Sequence, residues 1–110
     1  MTYPDRIAVV RLFGRLDLVS ATEVKQHLND AVADGHTRLV VDLGEVIFMD
    51  SSGLGALIGG LKAARVAGGD LRLARAGDQV RVVLSLTTLD RVLRCYATPD
   101  DAIAAYADGT

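Results

Sequence analysis

Residues 40–55 read Val-Val-Asp-Leu-Gly-Glu-Val-Ile-Phe-Met-Asp-Ser-Ser-Gly-Leu-Gly, an apolar run that ends abruptly in a carboxylate, two hydroxyls and a glycine. Beyond it, Leu54, Leu57, Ile58 and Leu61 recur at i, i+3, i+4 and i+7, the repeat of one helix face. The chain is therefore expected to turn from strand to helix at Asp50, Ser51 and Ser52. Asp and Ser suit such a corner because their side-chain oxygens accept the free N–H groups of a first helical turn. The same N–H groups and the helix dipole also favour an anion. A hydroxyl held there has two readings, a cap or an acceptor for a charged group, and on spacing alone the cap is the simpler.

The flanking segments alternate. Ile7 to Phe13 is β-branched and aromatic and stops at Gly14, which predicts a strand, with residues 1–5 adding a short one before it. Gly14-Arg15-Leu16-Asp17 reads as a turn or bulge leaving the sheet. Ser20 and Glu23 have capping-box spacing ahead of an apolar stripe of Ala21, Val24, Leu28, Ala31 and Val32, and Gly35 follows as a stop, so helix one is expected over about 20–34. Leu39 to Leu43 suits a strand buried on both faces. The second helix runs to about residue 67, where Gly68-Gly69-Asp70 breaks it, and Leu71 to Ala74 gives another strand. Asp78 is expected to cap a short helix with Val80, Val83 and Leu84 inward and Leu86 near its end. A last strand is placed around Val92 to Cys95. Thr98, Pro99 and Asp101 then supply a cap, a first-turn proline and a box-like acid for a helix with Ala102, Ile103 and Tyr106 on its apolar face. Such alternation implies one α/β domain, residues 1–110, with a mixed central sheet of about four to five strands and about four helices packed on it. Gly55, Gly59 and Gly60 lie inside the second helix, where each glycine costs about 1 kcal/mol relative to alanine. Something is expected to approach that helix closely, either the rest of the fold or a partner.

Several functions are disfavoured. A net charge of −2 over 110 residues, with no basic run, argues against nucleic acid. Apolar residues make up half the chain, enough for a core without disulfides or metal. One cysteine, Cys95, leaves no internal disulfide and fits a reducing, cytoplasmic setting. It reads as a buried strand residue rather than a redox switch. No signal peptide and no apolar stretch of membrane-spanning length is evident. No glycine stands two residues before Ser51 or Ser52, against a hydrolase nucleophile elbow. Gly53-Leu54-Gly55 lacks the Gly-Lys-Ser/Thr ending of a phosphate loop. His27 and His36 are expected to face solvent, and with Cys95 they do not form a zinc pattern. No cofactor, metal site or catalytic residue is expected, and the chain reads as a non-enzyme.

The string Phe48-Met49-Asp50-Ser51-Ser52-Gly53-Leu54-Gly55 resembles the signature of the bacterial anti-sigma factor antagonists, the STAS-domain family. Gly14-Arg15-Leu16-Asp17 resembles that family's turn before helix one, Leu39 to Leu43 its central strand, and Gly68 to Leu73 its glycine turn and next strand. The resemblance covers nearly the whole chain in order. It implies partner switching: the unmodified protein binds an anti-sigma factor serine kinase with a histidine-kinase-like ATPase fold, and a sigma factor is released. Phosphorylation ends the binding, and a metal-dependent serine phosphatase resets it. By resemblance the phosphoacceptor is Ser51, Ser52 takes the next place, Asp50 and Gly53 shape the loop, and Asp17 lies near the kinase-binding surface. The alternative is a STAS interaction module in a non-sigma signalling or transport complex.

Overall fold

In the computed structural model, residues 2–3 and 6–107 are described, with side chains from Arg6 onward. The strands are β1 (Thr2–Tyr3), β2 (Ile7–Leu16), β3 (Arg38–Met49), β4 (Asp70–Ala74) and β5 (Cys95–Tyr96). The helices are α1 (Ala21–Ala33), α2 (Ser51–Val66), α3 (Asp78–Leu86) and α4 (Pro99–Ala107), with a 3₁₀ turn at Leu89–Arg91. The sheet order is β1-β2-β3-β4-β5; β1 is antiparallel to β2, and the other pairs are parallel. The expected mixed sheet with four helices is what forms.

Alternating side chains divide the sheet into two faces. Leu39, Val41, Leu71 and Leu73 pack with Val24 and Leu28 of α1, Leu54, Leu57 and Leu61 of α2, and Val80 and Leu84 of α3. Val40 and Ala74 face the other way, against Ile7, Ala102 and Tyr106. There α4 is tied down by the Tyr106 hydroxyl, which donates to the Leu39 carbonyl at 2.9 Å. The buried Arg72 guanidinium lies 4.0 Å from the Tyr106 ring centroid. Three helices thus cover one face, and the last covers part of the other.

The glycines of α2 are explained mainly by packing. A Cβ at Gly60 would run into Leu28 of α1 and crowd Leu71, and one at Gly59 would meet the Lys25 side chain at 3.3 Å. A Cβ at Gly55 would meet nothing within 4 Å.

Four segments differ from the sequence reading. β2 does not stop at Gly14 but runs to Leu16, with irregularities between Arg11 and Phe13 and between Gly14 and Arg15. Gly14 takes φ +72° at the second of these, which a glycine adopts at no steric cost. β3 carries the matching extra residues and continues past Leu43 to Met49. The last strand begins at Cys95, because Leu89–Arg91 and the residues after it form a tight turn. Asp78 is not the cap of α3: Gly77 is, and Asp78 stands in the first turn, while Leu86 is exposed.

β3 outlasts β4. Its pairing with β4 ends at Asp42, opposite Ala74. There Asp42, with 1 % of its surface exposed, is held by Arg75: Nε donates to Oδ1 at 2.8 Å and NH2 to Oδ2 at 3.0 Å. The Gly44 N–H donates to the same Oδ1 at 3.0 Å. Burial alone would raise the Asp42 carboxyl, but the Arg75 guanidinium, the Gly44 N–H and the Arg11 charge outweigh it and hold it below the usual carboxylate range.

A carboxyl whose pKa is lower in the folded chain adds stability above its unfolded value and loses it as pH falls through the folded one. Asp42→Asn keeps the shape and removes the charge. It is expected to cost about 2–4 kcal/mol at neutral pH, somewhat less than for a fully buried pair because Arg75 can reach water. Urea unfolding should also show a smaller loss of stability in the variant than in the wild type between about pH 5 and pH 2.

Candidate functional site

The corner between β3 and α2 is a true helix cap. Asp50 is extended (φ −112°, ψ −172°), and its Oδ1 accepts the N–H groups of Ser52 at 2.9 Å and Gly53 at 3.1 Å. Its carbonyl accepts the first intrahelical bond, from Leu54 at 3.0 Å. Ser51, the first helical residue, is exposed; Ser52 is half-buried and Gly53 is buried. Gly53 is there because of close approach: a Cβ would strike the Leu16 carbonyl oxygen at the end of β2.

The end of β2 supplies the other half of the site. The Asp50 N–H donates to the Leu16 carbonyl at 3.1 Å, which sets the Asp17 turn beside the Ser51 corner. Asp17 Oδ1 accepts the N–H groups of Val19 at 3.1 Å and Ser20 at 3.3 Å, and Oδ2 accepts from Arg15 Nε at 3.3 Å. Partial burial would raise the Asp17 carboxyl, but the Ser20 and Val19 N–H groups and the Arg15 charge more than offset it and lower it. Arg15 in turn lies 4.3 Å from the Phe48 ring centroid. The Ser20–Glu23 capping box does not form. Ser20 already has helix-like angles, and its hydroxyl donates to the Arg15 carbonyl at 2.7 Å while accepting the Asp17 N–H at 3.0 Å.

All five residues singled out from sequence, Asp17, Asp50, Ser51, Ser52 and Gly53, therefore meet at the carboxyl ends of β2 and β3. Beside them, Ala21, Thr22, Lys25, Ser52, Gly55 and Ala56 line a shallow groove of about 220 Å³ between α1 and α2. Leu18 and Val19, at the tip of the Asp17 turn, are 77 % and 91 % exposed.

One residue of the site was not evident from sequence. Gln79 of α3 reaches back to the last residue of β3, accepting from Met49 N–H and donating to Met49 C=O, both at 2.8 Å. A glutamine in the first turn of a helix carries no signal of such a role. Cys95 is half-buried, and burial pushes its thiol up. Among the described residues, no group of three or more His, Cys, Asp or Glu side chains could hold a metal ion, and no helix is long and apolar enough to cross a membrane.

A capped serine corner at the end of a mixed sheet with helices on both faces defines a small α/β domain of the STAS kind, and comparison with known proteins agrees. Residues 1–102 match the STAS domain. The anti-sigma-F factor antagonist RsfB of Mycobacterium tuberculosis is 30% identical over 105 residues, covering 94% of this chain and 84% of that protein. The crystal structure of an anti-sigma factor antagonist from Mycobacterium paratuberculosis superposes with a TM-score of 0.81 at 30% identity, covering 96% of this chain and 97% of that one. The Bacillus cell fate determinant SpoIIAA, in its phosphorylated form, superposes with a TM-score of 0.73 at 25% identity over 96% of each chain. The chain belongs to the STAS domain family, and anti-sigma factor antagonists are among its curated relatives.

Two substitutions test how the corner is built. Asp50→Ala removes the cap and is expected to cost about 0.5–2 kcal/mol. Gly53→Ala forces the Leu16 backbone aside, and overpacking of that kind costs about 1–3 kcal/mol. Thermal or urea unfolding should show both losses, and their effects should not add, because both residues act on the contact between β2 and the first turn of α2.

Proposed function

We propose that this protein is an anti-sigma factor antagonist that binds an anti-sigma factor serine kinase and is released from it by phosphorylation of Ser51. The observation that carries the reading is the placement of Ser51: an exposed hydroxyl on the first helical residue, directly after the capping carboxylate of Asp50. The protein is a substrate here and not a catalyst. The kinase transfers the γ-phosphoryl group of ATP to Ser51 Oγ; the new O–P bond forms as the bond to the β-phosphate breaks, ADP leaves and the hydroxyl gives up its proton. A metal-dependent serine phosphatase hydrolyses the ester and restores the hydroxyl. These exchanges belong in the cytoplasm, where ATP and sigma factors are.

The geometry explains why such an ester would act on the partner. A phosphate adds about −1.5 to −2 charges near neutral pH. A helix N-terminus ordinarily welcomes an anion, but the Ser52 and Gly53 N–H groups already donate to Asp50. Those of Val19 and Ser20 donate to Asp17. The phosphate would thus stand next to the Asp50 carboxylate, which already takes two of the first-turn N–H groups. An acidic or apolar partner group packed over Ser51 would be repelled or left desolvated against it. A penalty of about 3–4 kcal/mol weakens binding a few hundred-fold.

Ser51→Ala is expected to abolish phosphorylation and keep kinase binding near the wild-type value. Intact-mass analysis after incubation with the kinase and ATP, and titration calorimetry on bare and phosphorylated protein, check both halves. Phosphorylated protein should bind at least about a hundred-fold more weakly than bare protein. Ser51→Asp should weaken binding in the same direction by less, since one carboxylate copies only part of a phosphate. Equal affinity of the bare and phosphorylated forms would sink the mechanism.

A further inference from the structure

Among the described residues, no strand lies on the β4 side of β3 from Leu43 onward, because β4 pairs only as far as Asp42. A strand edge left in this way carries backbone N–H and C=O groups that need partners when they are shielded from water. Met49 is buried, and it is the residue before the Asp50 cap. On its β2 side it lies opposite Leu16. On the other side, the carboxamide of Gln79 stands where a neighbouring strand would be. Oε1 accepts the Met49 N–H and Nε2 donates to the Met49 carbonyl, each at 2.8 Å. A carboxamide offers an acceptor and a donor held in one plane at that separation whatever the pH, and asparagine is one methylene shorter. α3 is itself fixed by buried Val80 and Leu84, while Val82 and Leu86 on the same helix are exposed.

We propose that Gln79 is a positioning residue for Ser51: its carboxamide fixes where β3 ends and so where the serine hydroxyl is presented. The proposal rests on the reading of Ser51 as the phosphoacceptor. The corner is then gripped from two sides, by the Leu16 carbonyl on the Asp50 N–H and by Gln79 on Met49. Because Gln79 belongs to α3, a displacement of that helix is transmitted to the two peptide groups that lead into Ser51.

The test compares full-length wild type with Gln79→Leu, which is close in size and leaves both Met49 groups unpaired. Gln79→Glu keeps the acceptor and loses the donor. Amide exchange by NMR should show the Met49 N–H of the leucine variant exchanging about tenfold faster, as expected for one lost hydrogen bond, while the Val40 amide stays within about twofold of wild type. With the anti-sigma factor kinase of the same organism and Mg²⁺-ATP, kcat for phosphoryl transfer to Ser51 should fall about tenfold in the leucine variant and less in the glutamate variant, with KM within about twofold. If the leucine variant does not fold, the glutamate variant alone decides: kcat below wild type supports the proposal and an unchanged kcat overturns it. Faster exchange spread equally over Met49 and Val40, or wild-type kcat in both variants, also overturns it. Failure of the functional reading looks different: the wild type itself would take up no phosphoryl group at Ser51, while the contrast between Met49 and Val40 exchange would persist.

Discussion

Asp42 is buried, ionised and gripped by Arg75 at the point where β4 leaves the sheet. A carboxylate in a core is costly unless it is paired and hydrogen-bonded. Here each oxygen meets the guanidinium, and Oδ1 also receives the Gly44 N–H. The Arg75 guanidinium fills the space that a side chain at position 44 would need, so any such side chain would have to displace the guanidinium from Asp42. The ion pair sits where β4 ends and where the β2–β3 register first shifts. Past it, β3 continues with β2 as a two-stranded ribbon whose far end stands clear of β4 and β5. A corner made at the end of a fully flanked strand would be shut in by its neighbours. Ser51 is exposed because β3 runs on past β4.

What was legible in the sequence was local. The strand-to-helix turn at Asp50, the stop at Gly35 and the Thr98 cap, whose hydroxyl accepts the Asp101 N–H at 3.1 Å, all depend on residues within a few positions of one another. The same logic failed at Ser20. Its spacing to Glu23 is right for a capping box, but β2 continues through Gly14 and brings the Arg15 carbonyl within reach, and the hydroxyl bonds there instead. The Asp42–Arg75 pair spans 33 positions and the Gln79–Met49 clasp spans 30. Neither leaves a trace in residue spacing. The five site residues could be named because a whole-string resemblance carried them, whereas Gln79 lies outside that string.

Both acids of the site serve as caps. Asp17 closes its own turn and Asp50 closes the start of α2. That arrangement is self-sufficient: the fold needs no outside cation or anion to satisfy the donors of the corner. It also places a carboxylate, that of Asp50, directly before Ser51.

The energies at the corner are small beside those of the core. A net hydrogen bond contributes about 1 kcal/mol and a helix cap about 0.5–2, against the 5–15 kcal/mol that holds a domain of this size folded. The Leu16 contact, the Asp50 cap and the Gln79 clasp each lie in that lower range, although Leu16, Met49 and Leu54 beside them belong to the main core. An interface that changes affinity a few hundred-fold needs about 3–4 kcal/mol, which is comparable to the sum of those corner contacts and well short of the cost of unfolding. The position of Ser51 can therefore be set, and its environment altered, by groups that leave the body of the fold as it is. The sheet with α1 and α2 acts as a fixed base, and the end of the β2–β3 ribbon, clasped by α3, is the part whose chemistry can be adjusted.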